Sequence, residues 1–214
     1  TACLSMNHSP GTAAAGPSST RQRFLEAGAS VFVREGYVGA NMELVASEAG
    51  LSRAALYKHF QNKGDLFASV AEMLHESAAS ASATLAAAAL AEKAGGADAI
   101  VGFMTARHQR IRDLLKSSAH AAELMEESSR RCGPLIRHHA TLFRAALIEF
   151  IAALGSSNRM TLHAELSAEQ LADTLLAAES GLKSGDASFM GPGFEAAFQR
   201  MARTLLAGAT KPNA

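Results

Sequence analysis

One short segment of the sequence, residues 51–67, LSRAALYKHFQNKGDLF, concentrates side chains that can bind nucleic acid. Its cationic and imidazole residues precede the first acid, Asp65, and are Arg53, Lys58, His59 and Lys63. The whole chain, by contrast, balances 20 lysines and arginines against 20 aspartates and glutamates. Guanidinium, ammonium and hydroxyl groups contact DNA phosphates and guanine edges. The segment is a candidate DNA contact, and the alternative is an ordinary solvated helix face.

Helix-capping residues around this segment predict the elements that position it. Asn41 predicts the start of a short helix, Gly50 its end in a left-handed conformation, and Ser52 the start of a second short helix. Two short helices joined by such a turn form a helix-turn-helix. Ala54 and Ala55 are small enough for close approach to a DNA groove. The agreement of caps, turn and small residues favours DNA binding over a solvated face.

The second helix of a helix-turn-helix lies in the major groove, with its first turn nearest the base edges. Arg53 can there donate to guanine or phosphate, while Ala54 and Ala55 can meet a thymine methyl group. The residues expected to contact phosphates are Tyr57, Lys58, His59 and Lys63. Phosphate contacts would set the register on the duplex, and the groove-facing residues would select the sequence.

The apolar spacing is helical from Thr20 onward, so the predicted fold is all-α. A first helix begins at Ser19 or Thr20 and ends near Gly36. The other predicted helices cover residues 42–49, 53–57 or 53–59, 63–94, 97–115, 118–131, 135–154, 167–183 and 194–207.

The run from Phe24 to Phe67, FLEAGASVFVREGYVGANMELVASEAGLSRAALYKHFQNKGDLF, resembles the amino-terminal DNA-binding domain of the TetR family of transcriptional regulators. The resemblance rests on the Gly-Tyr end of the first helix, the Ala-Gly-Leu-Ser turn and the tract LYKHFQNKGDLF. It covers about a fifth of the chain. The resemblance implies a homodimeric repressor with nine or ten helices per subunit, which binds a near-palindromic operator and releases it when a small effector binds the carboxy-terminal domain.

The resemblance also implies roles for single positions. Asn41 stands where the family usually has a threonine that meets phosphate, and Ser52 and Arg53 match the usual Ser-Lys or Ser-Arg pair. The positions that match backbone contacts in the family are Tyr57, His59 and Lys63. Ala54 and Ala55 replace the common Gly-Thr or Pro-Thr pair, so the operator sequence does not follow from the family.

Together, the helical pattern and the resemblance predict four parts of the chain. These are a disordered tail (1–19), a helix-turn-helix DNA-binding domain (20–66), a helical effector-binding and dimerisation domain (67–208) and a carboxy-terminal tail (209–214).

The predicted effector site lies among the middle helices. Seven residues there combine adaptable apolar surface with a few polar groups: Phe103, Met104, Arg107, His108, His120, Met125 and Phe143. Such a mixture suits a small-molecule pocket, although each residue equally suits ordinary core or surface.

The last two long helices carry apolar stripes that suit the four-helix dimer interface implied by the resemblance. These stripes are Leu171, Leu175, Ala178 and Leu182, followed by Phe194, Phe198, Met201 and Leu205. The same stripes suit the core of a single subunit, and periodicity alone does not separate the two interpretations.

Enzymatic and metal-binding functions find little support in the sequence. The adjacent His138 and His139 would point about 100° apart on a helix, and His120 with Glu123 has no signalled partner ligands. The sequence has no HExxH pair, glycine-rich phosphate loop or GxSxG elbow. We therefore expect no catalysis, cofactor or metal, with a metal-responsive regulator or a helical protein-interaction module as the alternatives.

Composition bounds the remaining possibilities. Hydrophobic residues make up 48% of the 214 residues, enough for a substantial core. With only Cys3 and Cys132, a disulfide scaffold is not expected, which favours a reducing cytoplasmic setting and the nucleoid when bound to DNA. The sequence has no charge-free apolar run of about 18 residues, and residues 1–19 lack the features of a secretory signal.

Overall fold

The computed structural model describes residues 19–92, 95–184 and 189–211. Within these residues the chain forms helices and no strand, apart from an isolated bridge between Leu162 and Thr210. The helices are α1 Thr20–Gly39, α2 Met42–Glu48, α3 Arg53–Tyr57, α4 Lys63–Glu92, α5 Gly96–Leu115, α6 Ala121–Arg131, α7 Gly133–Ser156, α8 Ala168–Ser184 and α9 Phe194–Ala209. The all-α prediction is confirmed, whereas almost all of the predicted amino-terminal tail and residues 212–214 lie outside the described residues.

The predicted caps set the helix ends of the amino-terminal part. The side chains of Ser19, Asn41 and Ser52 accept hydrogen bonds from first-turn amides of α1, α2 and α3. Gly50 has a φ of +63°, which a side chain would strain, so the turn between α2 and α3 requires glycine. Helix α3 ends at Tyr57, one of the two predicted ends.

The first hydrophobic core joins the helix-turn-helix to helices much later in the sequence. The side chains of Phe24, Leu56 and Phe60 are at most 1% exposed at its centre. Leu115 from α5 and Leu124 from α6 belong to the same core. The helix-turn-helix is therefore packed directly against the following part of the chain.

The second core is built from α5, α7, α8 and α9, with the end of α4 packed against it. Four residues predicted for a dimer interface are at most 1% exposed inside it: Leu171, Leu175, Phe194 and Phe198. The four others, Ala178, Leu182, Met201 and Leu205, are half-buried. The first four side chains therefore serve the core of the subunit and are not available to a second copy.

Helix α7 is the single helix in the described part of the chain that is long and apolar enough to cross a membrane. Its mean hydropathy of 1.2 comes from a window of which 28% is buried inside the protein. Among its buried side chains, Leu147 and Ile151 fill the second core. A core helix of a globular domain passes the same test of length and composition.

Candidate DNA-binding surface and ligand cavity

Helix α3 presents an exposed polar face. Arg53, Tyr57 and Lys58 are all exposed, although their helix is anchored by the fully buried Leu56. The Arg53 guanidinium lies 5.5 Å from the centre of the Tyr57 ring and donates a hydrogen bond to the Tyr57 hydroxyl at 3.4 Å. That hydrogen bond raises the pKa of Arg53 further, so the group is a permanent cation. This face therefore offers several donors to a phosphate backbone or a base edge.

The two alanines of α3 differ in exposure. Ala54 is exposed, whereas Ala55 is half-buried and packs against the first core. Only Ala54 therefore lies fully on the surface that would face DNA.

A shallow polar groove of about 380 Å³ runs beside α3, between the first turns of α2 and α4. Asn41, Arg53 and Tyr57 line it, and the structure adds two residues that the sequence did not assign to DNA, Gln61 and Asn62. Their place in the groove depends on the turn between α3 and α4, which residue types alone do not reveal. The Asn41 side-chain oxygen is already occupied as the cap of α2, which leaves its NH₂ group for a phosphate.

Two aromatic contacts hold further polar residues at the edge of this surface. The exposed His59 ring lies 5.9 Å from the Phe24 ring. The guanidinium carbon of Arg21 lies 5.4 Å from the centre of the Phe60 ring. Arg21 is an exposed cation from α1 that the sequence analysis did not assign to DNA. Both ring contacts orient a side chain and leave its hydrogen-bonding groups available.

The structure gives Lys63 a role different from the predicted phosphate contact. Its ammonium group donates to three backbone carbonyls at the end of α1: Tyr37 at 2.7 Å, Val38 at 3.3 Å and Ala40 at 2.9 Å. It also lies 4.6 Å from the centre of the Tyr37 ring. Because an ammonium group has three donors, these carbonyls use all of them. Lys63 is thus a clamp between α1 and α4.

We expect Lys63→Ala to lower the free energy of unfolding by about 1.5–3 kcal/mol, since it removes charge-assisted hydrogen bonds from partly buried carbonyls. Lys58→Ala is the matched control, because Lys58 is exposed and should change stability by less than about 0.5 kcal/mol. Urea denaturation followed by circular dichroism measures both. Equal stability of the two variants would contradict the clamp.

A second site lies behind the helix-turn-helix, in an apolar cavity of about 340 Å³. Its walls come from α1, α4, α5 and α6, including Phe32, Phe67 and Ile111, and it extends to Lys183 and Phe189. Three residues predicted for the effector site line it: Arg107, His108 and Met125. The cavity volume falls at the lower end of the range of small-molecule sites.

The other predicted effector residues lie elsewhere. Phe103 stacks on Phe143 with ring centres 5.2 Å apart, and both are buried with Met104 in the second core. His120 lies at the start of α6 against α1, outside the cavity lining. Periodicity identified their helices correctly but could not show which side of each helix meets the cavity.

A buried carboxylate with two hydrogen-bond partners lies beside the cavity. The Nε2 atom of His108 is 2.8 Å from Oε1 of Glu179, and Lys183 donates to the same oxygen. Burial opposes ionisation of Glu179, but the hydrogen bond from His108 and the nearby ammonium outweigh it and hold the pKa of Glu179 at about 2. Burial also lowers the pKa of His108, so a neutral imidazole donates to the carboxylate.

The lowered pKa of His75, which lines the cavity, predicts that the free energy of unfolding depends on pH. Burial is the main cause that lowers its pKa from 6.5 to about 4, and nearby charged or titratable groups act in the same direction: His139, Arg107 and Lys183. Between these two pH values the unfolded chain binds a proton that the folded chain excludes, so stability falls as the pH is lowered. One pKa unit corresponds to about 1.4 kcal/mol, and with allowance for partial solvent access we expect a loss of about 1–2 kcal/mol.

Urea denaturation between pH 7 and 4 measures this dependence. His75→Leu should remove the contribution of His75, whereas His163→Leu, at an exposed position between α7 and α8, should retain it. An unchanged slope in His75→Leu would contradict the assignment.

Helix α6 connects the cavity to the helix-turn-helix. Oε1 of Glu123 accepts a hydrogen bond from the Val38 amide at 2.8 Å, and Oε2 lies 3.2 Å from Nδ1 of His120. The Ser118 hydroxyl donates to the Val33 carbonyl at 2.6 Å. No group of three or more potential metal ligands occurs in the described part of the chain. Glu123 therefore joins the start of α6 to the end of α1 through the Val38 amide.

Comparison with known proteins agrees with this architecture. Residues 24–70 match the family model of bacterial regulatory proteins, tetR family. The chain is 42% identical over 60 residues to an HTH-type transcriptional repressor of Streptomyces coelicolor, a match that covers 28% of this chain and 31% of that protein. It is 39% identical over 57 residues to the regulator TtgW of Pseudomonas putida, with 27% and 42% covered. These matches span less than half of either relative.

Solved structures extend the similarity of fold to nearly the whole chain. Salmonella enterica GusR has a TM-score of 0.58 at 20% identity, with 88% of this chain and 95% of that chain covered. The TetR-family regulator PfmR of Thermus thermophilus has a TM-score of 0.56 at 18% identity, with 86% and 97% covered. Residues 24–70 therefore carry a DNA-binding domain of the tetR family of bacterial regulatory proteins. The described chain as a whole has the fold of these solved structures.

Proposed function

We propose that this protein is a transcriptional repressor that binds a near-palindromic operator as a homodimer and releases it when a small molecule occupies the cavity behind α1. The observation that carries the proposal is the exposed face of α3. There, Arg53, Ala54 and Tyr57 are exposed on a helix that is anchored in the first core by Leu56 and capped by Ser52, next to α2 with its cap Asn41. The first turn of α3 reads bases, and residues around the groove contact phosphates.

The position of the cavity supports control by a ligand. Ala29, Phe32 and Val33 of α1 form part of its wall, and Glu123 ties the end of the same helix to α6. A ligand that changes the packing between α1 and α6 would tilt the helix-turn-helix. Operator release follows if the ligand binds more tightly to the state in which the two α3 helices no longer match successive major grooves.

The dimer surface in this proposal is the outer face of α8 and α9. The residues exposed there include small ones: Thr174, Ala177 and Gly181 on α8, and Thr204, Ala207 and Gly208 on α9. Small side chains allow two helix pairs to approach closely. This face replaces the buried stripes as the proposed contact between subunits.

Selection of genomic DNA fragments by the purified protein tests the proposal. We expect one near-palindromic sequence to be enriched, with an affinity that falls steeply with salt because phosphate contacts release counterions. Lys58→Ala should weaken binding to all DNA sequences alike. It should also reduce the slope of the logarithm of the binding constant against the logarithm of the salt concentration by about one. A helical protein that acts only through protein partners would enrich no sequence, and that result would exclude the proposed function.

A further inference from the structure

We infer that the cavity binds an amphipathic organic anion, with an oxyanion such as a carboxylate held by Arg107 and an apolar body lying between α1, α4 and α6. This inference rests on the proposed function, whose ligand class it specifies. It is drawn from the distribution of charge around the cavity and from the surroundings of the Arg107 guanidinium group.

The lining of the cavity is mostly apolar and includes two cations. Phe32, Phe67 and Ile111 are among its many apolar residues, and the cations are Arg107 of α5 and Lys183 of α8. Among the described lining residues there is no aspartate or glutamate. A ligand with one anionic group and a hydrocarbon or aromatic body matches this arrangement.

The guanidinium of Arg107 is half-buried and unsatisfied. Its central carbon lies 4.3 Å from the centre of the Phe143 ring, and within the described part of the chain it makes no hydrogen bond or ion pair. Burial lowers the pKa of Arg107, yet arginine stays protonated in proteins. A buried charge without a hydrogen-bonded partner is costly, so a ligand oxyanion that accepts its donors would be strongly favoured.

The carboxylate of Glu179, whose charge acts on Arg107, does not satisfy this need. Glu179 is engaged by His108 and Lys183, and it is not part of the cavity lining. Arg107 and Lys183 contribute two positive charges against the single negative charge of Glu179, while burial favours the neutral forms of His75 and His108. The surroundings of the cavity thus carry one excess positive charge, which a monoanion would balance and a cation would increase.

Isothermal titration calorimetry with three probes of similar length tests the inference: decanoate, 1-decanol and decyltrimethylammonium. A fourth probe, 4-phenylbutanoate, presents the same anion on an aromatic body. We expect at least one of the anions to bind about tenfold or more tightly than the alcohol, and the cation to bind least. Failure of both anions to exceed the alcohol, or tighter binding of the cation, would overturn the inference.

Variants locate the anion within the cavity. Arg107→Gln should weaken binding of the anionic probe about tenfold or more and leave 1-decanol unchanged, whereas Arg107→Lys should retain most of the affinity. Arg110→Gln is the matched control, because Arg110 lies exposed on the same helix, outside the cavity lining, and donates to Ser77. If Arg107→Gln, shown to be folded by circular dichroism, binds the anion as well as the original protein, Arg107 does not hold it.

Calorimetry without DNA separates this inference from the proposed function. Anion binding that leaves operator affinity unchanged would support the ligand class and count against release by that ligand. Operator binding by a protein that prefers the neutral or cationic probe would support the proposed function and reject the ligand class.

Discussion

Replacing Gly36 by alanine is expected to lower the free energy of unfolding by about 2–4 kcal/mol, the largest single effect on stability that we predict outside the buried cores. Gly36 has φ +71° and ψ 175°, a region of backbone conformation that is essentially restricted to glycine. An added Cβ would also overlap Oε2 of Glu123 and lie 2.8 Å from Nδ1 of His120. The methyl group would therefore strain α1 and push α6 away from it.

Gly39→Ala provides the control three residues further along α1. Gly39 does not have a positive φ, and its added Cβ would meet only the Glu35 side chain at 3.5 Å, an ordinary contact. Alanine there should leave stability unchanged or raise it slightly. Urea denaturation of both variants distinguishes local strain from a general effect of losing glycine, and equal destabilisation would contradict the account of Gly36.

The second large effect is expected from Arg53→Ala, which should weaken binding to the operator by about 1–3 kcal/mol, or roughly 5- to 150-fold. Arg53 is exposed at the first turn of α3, and its side-chain hydrogen bond within the described residues is to Tyr57 of the same helix, so the stability of the protein should change little. The loss should be concentrated at one base position in each half-site. Titration of operators with single substitutions measures both the affinity and the relaxed preference.

Two variants sharpen this test. Arg110→Ala removes the same charge from an exposed position of α5 and should change operator affinity far less than Arg53→Ala. Tyr57→Phe removes the hydroxyl that accepts from Arg53 at 3.4 Å but keeps the ring, so it should cause a smaller loss. If Arg53→Ala binds all operator variants with unchanged relative affinities, α3 is not the element that reads the bases.

Local chemistry in the sequence was enough to predict the helix-turn-helix. Asn41 and Ser52 cap helices through bonds to residues two or three positions away, and the left-handed Gly50 follows from the same local geometry. Lys63 shows the limit of such reasoning, because its acceptors lie 23–26 residues earlier in the chain. In the sequence, a lysine that donates to the carbonyls of distant residues looks the same as a lysine that contacts a DNA phosphate.

For the carboxy-terminal part, the sequence left two interpretations open for a different physical reason. The stripe that includes Leu175 and Phe198 is equally apolar whether it meets another helix of its own subunit or a second copy, and only the tertiary packing decides. The sequence could assign the effector site to helices but not to individual residues. The walls of the cavity bring together residues that are distant in the sequence, such as Phe32 of α1 and Met125 of α6.

The shared first core changes how a ligand would act on this protein. Because residues of α1 form both the core of the helix-turn-helix and a wall of the cavity, an occupant completes the packing of the DNA-reading unit itself. A ligand in this cavity of about 340 Å³ would add van der Waals contacts to the residues that line it. The ligand would then act as an additional part of the first hydrophobic core, one that can dissociate. Under the proposed function, the ligand binds more tightly to the operator-free state than to the operator-bound state. By thermodynamic linkage, the ligand must then weaken operator binding by the same factor by which the operator weakens ligand binding.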